Sequence, residues 1–299
     1  MSEFPQKDPG QCFRIPQQTL LRLTGGDRQK WLHNFCTADI KSLEPGQGCE
    51  AFVLNVKGKT MAHIIVLASK YDLIVLLVGQ PETPLVEHFE KYIITEDVRI
   101  EDLSVNHELW YANGDRIDLM FQRTFPNWVA YAHGLVRDRV VAVSTSLRGQ
   151  PDWLMLVERS ENVPLWNGGM HEISQKQFDE LRFVSRFPVT GSDVTTAHLP
   201  QEFCRDEQAI SFTKGCYLGQ ETVARIDALG HVNYFFVRLE WGVESAEVGL
   251  ELTRDDKAVG NVTSVAGDRG LGFVRRLMAK PGERFGSALG EVVVGANPI

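Results

Sequence analysis

The sequence predicts an α+β fold closed by a small C-terminal β-barrel, and three patterns carry that expectation. Apolar runs of strand length at 52–56, 61–67 and 71–78 follow one another across short polar turns. Two stretches, 28–35 and 84–94, instead set their apolar residues at helical spacing. After Gly230, short strand-like runs alternate with glycine turns at intervals of about ten residues, as a small barrel requires.

In chain order, Asp27 stands where an N-cap belongs, and Trp31, Leu32 and Phe35 share one face of the helix that follows. The turn LEPGQG, 43–48, leads into a hairpin whose arms are 52–56 and 61–67, with Lys57-Gly58-Lys59 between them. A further strand runs to Val78. Leu85, Phe89, Tyr92 and Ile93 mark a second helix, and Val98 begins another strand. Helices are therefore expected to cover one sheet face. The stretch from about 105 to 190 is less regular: 140–143 and 154–157 read as strands, and 174–183 as a helix that buries Phe178 and Leu181. Barrel strands are expected at 235–239, 258–262, 271–274 and 291–294. The change of texture places a domain boundary near 229, with an α+β region of two interleaved subdomains over 1–228 and a barrel domain over 229–299.

Composition narrows the function classes. The chain has 299 residues, 43% of them hydrophobic, and a formal net charge of −8, which offers no broad basic footprint, so direct nucleic-acid binding is not expected. The longest apolar stretch, 73–78, falls far short of the roughly 20 residues that span a bilayer, and no membrane partner is expected. The opening MSEFPQKDPGQCF lacks the pattern of a secretory signal. Five cysteines are scattered without a CxxC pair, which suggests reduced thiols rather than a disulfide framework or a metal knuckle. A cytoplasmic address follows.

The motif that carries chemistry is KGCYLGQE, 214–221. A strand-like run, 209–213, leads into it, and a short helix opens at Gly219, so Cys216 is expected in a tight connection before a helix N-terminus with Lys214 as the neighbouring cation. Both features favour a thiolate. Gly215 and Gly219 permit backbone geometry closed to other residues and let a flat ligand approach the main chain. The alternative is that Cys216 is a buried small side chain and the glycines only turn the chain.

KGCYLGQETVAR resembles the K-G-C-[YF]-x-G-Q-E-x-x-x-R signature of the YgfZ-type folate-binding proteins, relatives of the glycine-cleavage aminomethyltransferase. Leu199-Pro200-Gln201-Glu202-Phe203 is similar to that family's lead-in. Leu23 to Asp27 with Trp31-Leu32-His33-Asn34, Thr37-Ala38-Asp39 and Leu43-Glu44-Pro45-Gly46 is similar to its opening, Leu54 to Lys59 to its hairpin, and Val259 to Ser264 to a strand of its barrel. The resemblance covers nearly the whole chain. It implies an aminomethyltransferase-type, folate-binding fold with ferredoxin-like N-terminal units, a tetrahydrofolate cofactor, and a role in assembly or repair of iron–sulfur proteins, including enzymes that modify tRNA. Client iron–sulfur proteins and a small-molecule folate are then the partners.

The same resemblance makes Cys216 the functional centre, with Lys214 beside it as the second catalytic candidate. Tyr217, Gly219, Gln220, Glu221, Arg225, Arg238, Thr37, Asp39 and Trp31 are the candidates around the folate. Arg225 and Arg238, and less so Lys57 and Lys59, suit the carboxylates of its glutamate tail. Trp31 and Phe35 either stack on the pterin or belong to the core. Two departures stand out. An acidic pair of the transferase hairpin falls here on Ala62 and His63, so a proton-handling carboxylate is missing. His63 is then either a base or a structural histidine. Relatives carry something like R-I-E-x-G-x-P where this chain has Val184 and Arg186 in place of the acid and the glycine. A pterin presents a donor–donor edge that a carboxylate matches in bidentate fashion, so Glu221, Glu207 or Asp39 is left to substitute. The rival functions are a tetrahydrofolate-dependent aminomethyl- or methyltransferase and a scaffold that kept the fold and lost the ligand.

Overall fold

The computed structural model of the chain describes residues 10–115, 117, 118, 121, 130–136, 140–159, 170–242 and 246–296. The first hundred residues hold β1 (Gln11–Arg14), β2 (Gln18–Thr24), α1 (Arg28–His33), β3 (Gly48–Leu54), β4 (Thr60–Ala68), β5 (Leu73–Val78), α2 (Leu85–Glu90) and β6 (Arg99–Asp102). Then come β7 (His107–Asn113), β8 (His133–Val136), β9 (Val140–Thr145), β10 (Asp152–Glu158), β11 (His171–Glu172), α3 (Gln175–Ser185), α4 (Asp206–Ala209) and α5 (Gln220–Leu229). The barrel is built from β12 (Tyr234–Trp241), β13 (Glu251–Arg254), β14 (Lys257–Ala266), β15 (Arg269–Arg275), β16 (Arg284–Ser287) and β17 (Gly290–Val294).

A five-stranded sheet of order β3-β4-β5-β2-β6 lies against a six-stranded sheet of order β11-β1-β7-β10-β9-β8. Strand β4 explains why its sequence is apolar without alternation: it is covered on both faces. Ile64 and Val66 point to Trp31, Leu32, Leu85 and Phe89 of α1 and α2, while Ile65 and Leu67 meet Phe13, Leu109, Tyr111, Leu154 and Leu156 of the facing sheet. The expected cover of helices on one sheet face is thus present. Asp27 does occupy the N-cap position of α1, but it makes no side-chain capping bond; its carboxylate accepts instead from the Asp97 amide at 2.9 Å. Ser174 does cap α3, in a reciprocal capping box with Gln177. Among the described residues no helix is long and apolar enough to cross a membrane.

The C-terminal strands close a six-stranded barrel in the order β12-β15-β14-β13-β16-β17. It has its own core of Val237, Leu239, Leu252, Val262, Val274 and Val292. A separate cluster seals it to the sheets: Phe236, Leu271 and Phe273 of the barrel pack with Phe52, Leu54, Phe183, Phe203 and Tyr217. Beside that apolar seal lies a buried ion pair. Arg182 of α3 donates to Asp193 at 2.9 Å, and the other Asp193 oxygen accepts from Thr263 at 2.5 Å and Ser264 at 2.7 Å of β14.

Asp193 is fully buried and Arg182 is 2% exposed, so removing one partner leaves an uncompensated charge. Arg182→Met is expected to lower the unfolding free energy by about 3–5 kcal/mol. Adding Asp193→Asn to it should recover part of the loss, with both read from urea midpoints at constant slope.

Candidate functional site

The signature is held as an irregular connection. The strand expected at 209–213 does not form: α4 ends at Ala209, and 210–217 has no regular structure before α5 opens at Gln220. The reason lies in where its backbone bonds go. Ser211 donates to the Thr37 carbonyl at 2.9 Å and Leu218 to the Asn34 carbonyl at 2.9 Å, while the His33 ring meets the Lys214 carbonyl at 3.0 Å. The segment is laced to the loop after α1 rather than paired with a strand.

Lys214 tightens that lacing. Its ammonium donates to the carbonyls of His33, Cys36 at 2.7 Å and Ala38 at 2.6 Å. All three of its N–H groups are engaged, and its electrostatic partners are Cys36, Asp39, Cys49 and Lys41. Burial is the largest influence and pushes its pKa down. The expected Lys214–thiolate pairing is therefore replaced by a structural tie. Tyr217 is likewise an anchor, 8% exposed in the cluster that joins sheets and barrel.

Two glycines dock the hairpin turn on the start of α5. Gly219 has φ +81°, and a Cβ there would lie 2.6 Å from the Asn55 carbonyl oxygen and 2.8 Å from the Gly58 Cα. Gly58 has φ +73°, and its Cβ would fall 2.6 Å from the Thr222 Cβ. Both positions exclude any side chain, and Thr222 closes the contact by donating to the Lys57 carbonyl at 2.9 Å. Gln220 accepts from the Tyr217 amide at 3.3 Å.

Cys216 emerges exposed from this frame. Glu221 and Arg225, four residues apart on one face of α5, are exposed as well. The other candidates are committed elsewhere. Trp31 is 3% exposed and packs on Phe35 and Phe89, so it belongs to the core and offers no stacking face. Thr37 is fully buried, bonding the Ala209 carbonyl at 2.5 Å and the Phe52 amide at 2.8 Å. Asp39 pairs with the His33 ring at 3.2 Å. Arg238 sits on the barrel wall, ion-paired to Glu240 at 2.9 Å. Glu207 and Lys57 are exposed. Lys59 donates to the Ala197 carbonyl at 2.8 Å and lines a cleft of about 450 Å³ with His198, Glu202, Tyr234, Asn261 and Phe273.

The departures have structural counterparts. Arg186 ends α3 in the left-handed region, φ 54° and ψ 40°, a conformation that a glycine adopts at less cost. Ala62 is fully buried, and His63, 2% exposed, bonds a carboxylate that sequence reasoning missed. Glu50 of β3 is fully buried; its oxygens accept from the His63 ring at 2.9 Å, from Arg205 Nε at 2.6 Å and Nη2, and from the Tyr131 hydroxyl. A lone acid inside the apolar run 49–54 is the signal that points to it. Burial alone would push the Glu50 carboxyl up, but the Arg205 guanidinium and the His63 ring outweigh it and hold the group down at about 2.

A folate needs flat surface, an acceptor for its ring edge and cations for its tail. The chain presents exposed Arg225 and Lys57, the aromatic-lined cleft at Lys59 and several carboxylates, so its residues fit that group.

The two packed sheets and the barrel define an aminomethyltransferase-type fold. The structure superposes on the glycine cleavage system aminomethyltransferase T of Bartonella henselae with a TM-score of 0.82, over 97% of this chain and 86% of that one, at 15% identity. No family model matches the chain. By sequence it is 25% identical to the tRNA-modifying protein YgfZ of Blochmanniella pennsylvanica, over 79% of this chain and 73% of that protein. It is 27% identical to a provisionally named chloroplastic transferase of Arabidopsis thaliana, over 92% and 67%. With the mitochondrial iron-sulfur cluster assembly factor IBA57 of Mus musculus it shares 25% identity, over 88% and 77%. The chain is thus similar in sequence to the YgfZ-type proteins and in fold to the glycine-cleavage aminomethyltransferase.

Two outcomes test this frame. Lys214→Met strands three carbonyls and is expected to cost about 1–3 kcal/mol, with faster amide exchange at Ser211 and Leu218 as its local signature. The depressed Glu50 group, at about 2 against an ordinary 4.5, stabilises the fold above pH 4.5 by about 3 kcal/mol and loses that as pH falls toward 2. The stability gap between wild type and Glu50→Gln, measured by urea melts across that window, should therefore close on acidification.

Proposed function

We propose that the chain is a folate-dependent accessory protein in the assembly or repair of iron–sulfur proteins, tRNA-modifying enzymes among them, and that it works through Cys216. The observation that carries this reading is the exposure of that one thiol from a signature otherwise locked by Lys214, Tyr217 and the Gly58–Gly219 contact. The names of the relatives supply the iron–sulfur and tRNA context.

A thiolate is both nucleophile and metal ligand. Stable clusters take four protein ligands, and among the described residues no group of three metal-ligating side chains gathers. Iron from a client would therefore be held by Cys216 only in passing, with the client supplying the other ligands. Tetrahydrofolate, when bound, supplies a one-carbon carrier. Arg225 and the hairpin lysines would pair with its tail carboxylates, and the aromatic cleft would shield its rings from water. The transferase alternative is weakened by the hairpin, where Ala62 has no acid to offer and His63 is tied to Glu50. With all five cysteines free, we place the protein in a reducing compartment, taken as the cytoplasm.

Cys216→Ser should leave the melting temperature within about 2 °C of wild type, as an exposed substitution does, while abolishing complementation of a dependent iron–sulfur enzyme in cells deleted for this protein. Full complementation by the variant would overturn the role given to Cys216. Folinic acid binding by the same variant, followed by titration calorimetry, should persist, because the thiol is not assigned to hold the ring.

A further inference from the structure

Two clefts of opposite charge lie side by side against the barrel. The first is the aromatic-lined cleft at Lys59, and its most buried charge is an acid. The Glu202 side chain is 7% exposed there; its Oε2 accepts from the Leu199 amide at 3.1 Å and meets the His198 ring at 3.3 Å. Among the described residues nothing bonds its Oε1, which leaves an acceptor at the cleft. The second cleft, of about 440 Å³, is lined by His231, Arg275, Arg276, Leu277 and Met278. Asn233 and Tyr234 line both, so a chain that leaves one cleft enters the other across Tyr234. Strand register pairs Tyr234 with Arg275, which sets the two side chains next to each other on one face of the barrel wall.

Neither Arg275 nor Arg276 has an ion-pair partner among the described residues, although the chain carries 39 acids against 31 lysines and arginines. Two guanidinia left open in an acidic protein suit carboxylates supplied from outside. We propose that this pair of clefts takes a folate with a poly-γ-glutamyl tail, the ring's amino group on Glu202 Oε1 and the second and later glutamates on Arg275 and Arg276. The proposal rests on the folate reading and extends its tail beyond the first glutamate. Each residue of such a tail is joined through its γ-carboxyl and keeps its α-carboxylate, so the tail is a string of anions. The charge order of the clefts fixes the direction of the ligand: Glu202 and Glu251 at the first repel a tail and accept from an amino group, while the arginines of the second do the reverse. Arg225 stands on α5 one turn before Leu229, after which the chain passes directly into His231 at the second cleft.

Titration calorimetry on the full chain tests this with three probes: folinic acid, its pentaglutamyl form, and penta-γ-glutamate, which has the tail without the ring. Wild type should bind the pentaglutamyl form about tenfold or more tighter than folinic acid, because ring and tail contacts then act together, and penta-γ-glutamate far more weakly than either folate. Arg275→Met combined with Arg276→Met should cut that preference to about twofold or less and leave folinic acid affinity unchanged. Glu202→Gln, which keeps an acceptor for the Leu199 amide, should weaken both folates by about tenfold and keep the preference. If wild type binds folinic acid without preferring the longer tail, or the double variant keeps the preference, the tail site is wrong while the folate reading stands. If Glu202→Gln is folded and binds as wild type does, the ring is not held there. If penta-γ-glutamate alone binds as tightly as the pentaglutamyl folate, the clefts take an acidic chain and the ring assignment is overturned. If neither folate binds, both readings fall together.

Discussion

A single ammonium group fixes the signature segment of this molecule. Lys214 gives its three N–H groups to three carbonyls, one at the last residue of α1 and two in the loop that follows it. A compact ammonium suits three converging carbonyls where a planar guanidinium does not, and the bonds offset the cost of drawing the charge out of water. Because that tie holds 211–218, the segment is ordered without secondary structure, and Cys216 emerges at a set place. The two signature glycines then divide the labour. Around Gly215 (φ +95°) nothing would meet a Cβ, so its need is for a left-handed backbone alone, whereas Gly219 is bound by both backbone sign and space.

Much of this was readable in advance, and the gaps have physical causes. Periodicity found α1, the hairpin and α3, since burial of one face leaves a regular trace. It also marked β4, but a strand covered on both sides shows a continuous apolar run that cannot say which residues face which layer. Asp27 was placed correctly as the N-cap residue, but its carboxylate makes no capping bond, because it binds the competing amide of Asp97, which lies 70 residues away and leaves no local mark. The strand expected at 209–213 failed for the same reason: its β-like composition was right, but its backbone partners are loop carbonyls. Trp31 shows the limit from the other side, since an aromatic on an apolar helix face reads equally as core or platform until its neighbours Phe35 and Phe89 are seen.

Glu50 illustrates a further kind of illegibility. A carboxylate in a strand interior announces that it must be paired, but its partners come from β4, from the approach to β8 and from the segment before α4. Those contacts span up to 155 residues, so residue types alone cannot assemble them. The network also explains how a histidine is accommodated in a dry strand without leaving its ring unpaired. His63 needs a partner in a dry strand, and Glu50 on the neighbouring strand provides it. The hairpin strand therefore carries a histidine whose ring is satisfied inside the core.

The five cysteines complete the argument for where chemistry is possible. Burial is the largest influence on four of them: it raises the thiol of Cys12 to about 11 and pushes those of Cys36, Cys49 and Cys204 upward as well. Cys36 and Cys49 lie close enough to Lys214 to feel its charge, yet desolvation still prevails over that cation. A thiol held protonated and out of solvent neither attacks an electrophile nor takes a metal. Cys216 differs in access: it is exposed, whereas the others are buried or half-buried. The lysine that composition offers as its activator in fact serves the cysteine indirectly, by fixing the backbone that carries it into water. Which thiol meets solvent is then a property of packing, set by the core that covers four in full or in part and by the tie that keeps the fifth outside it.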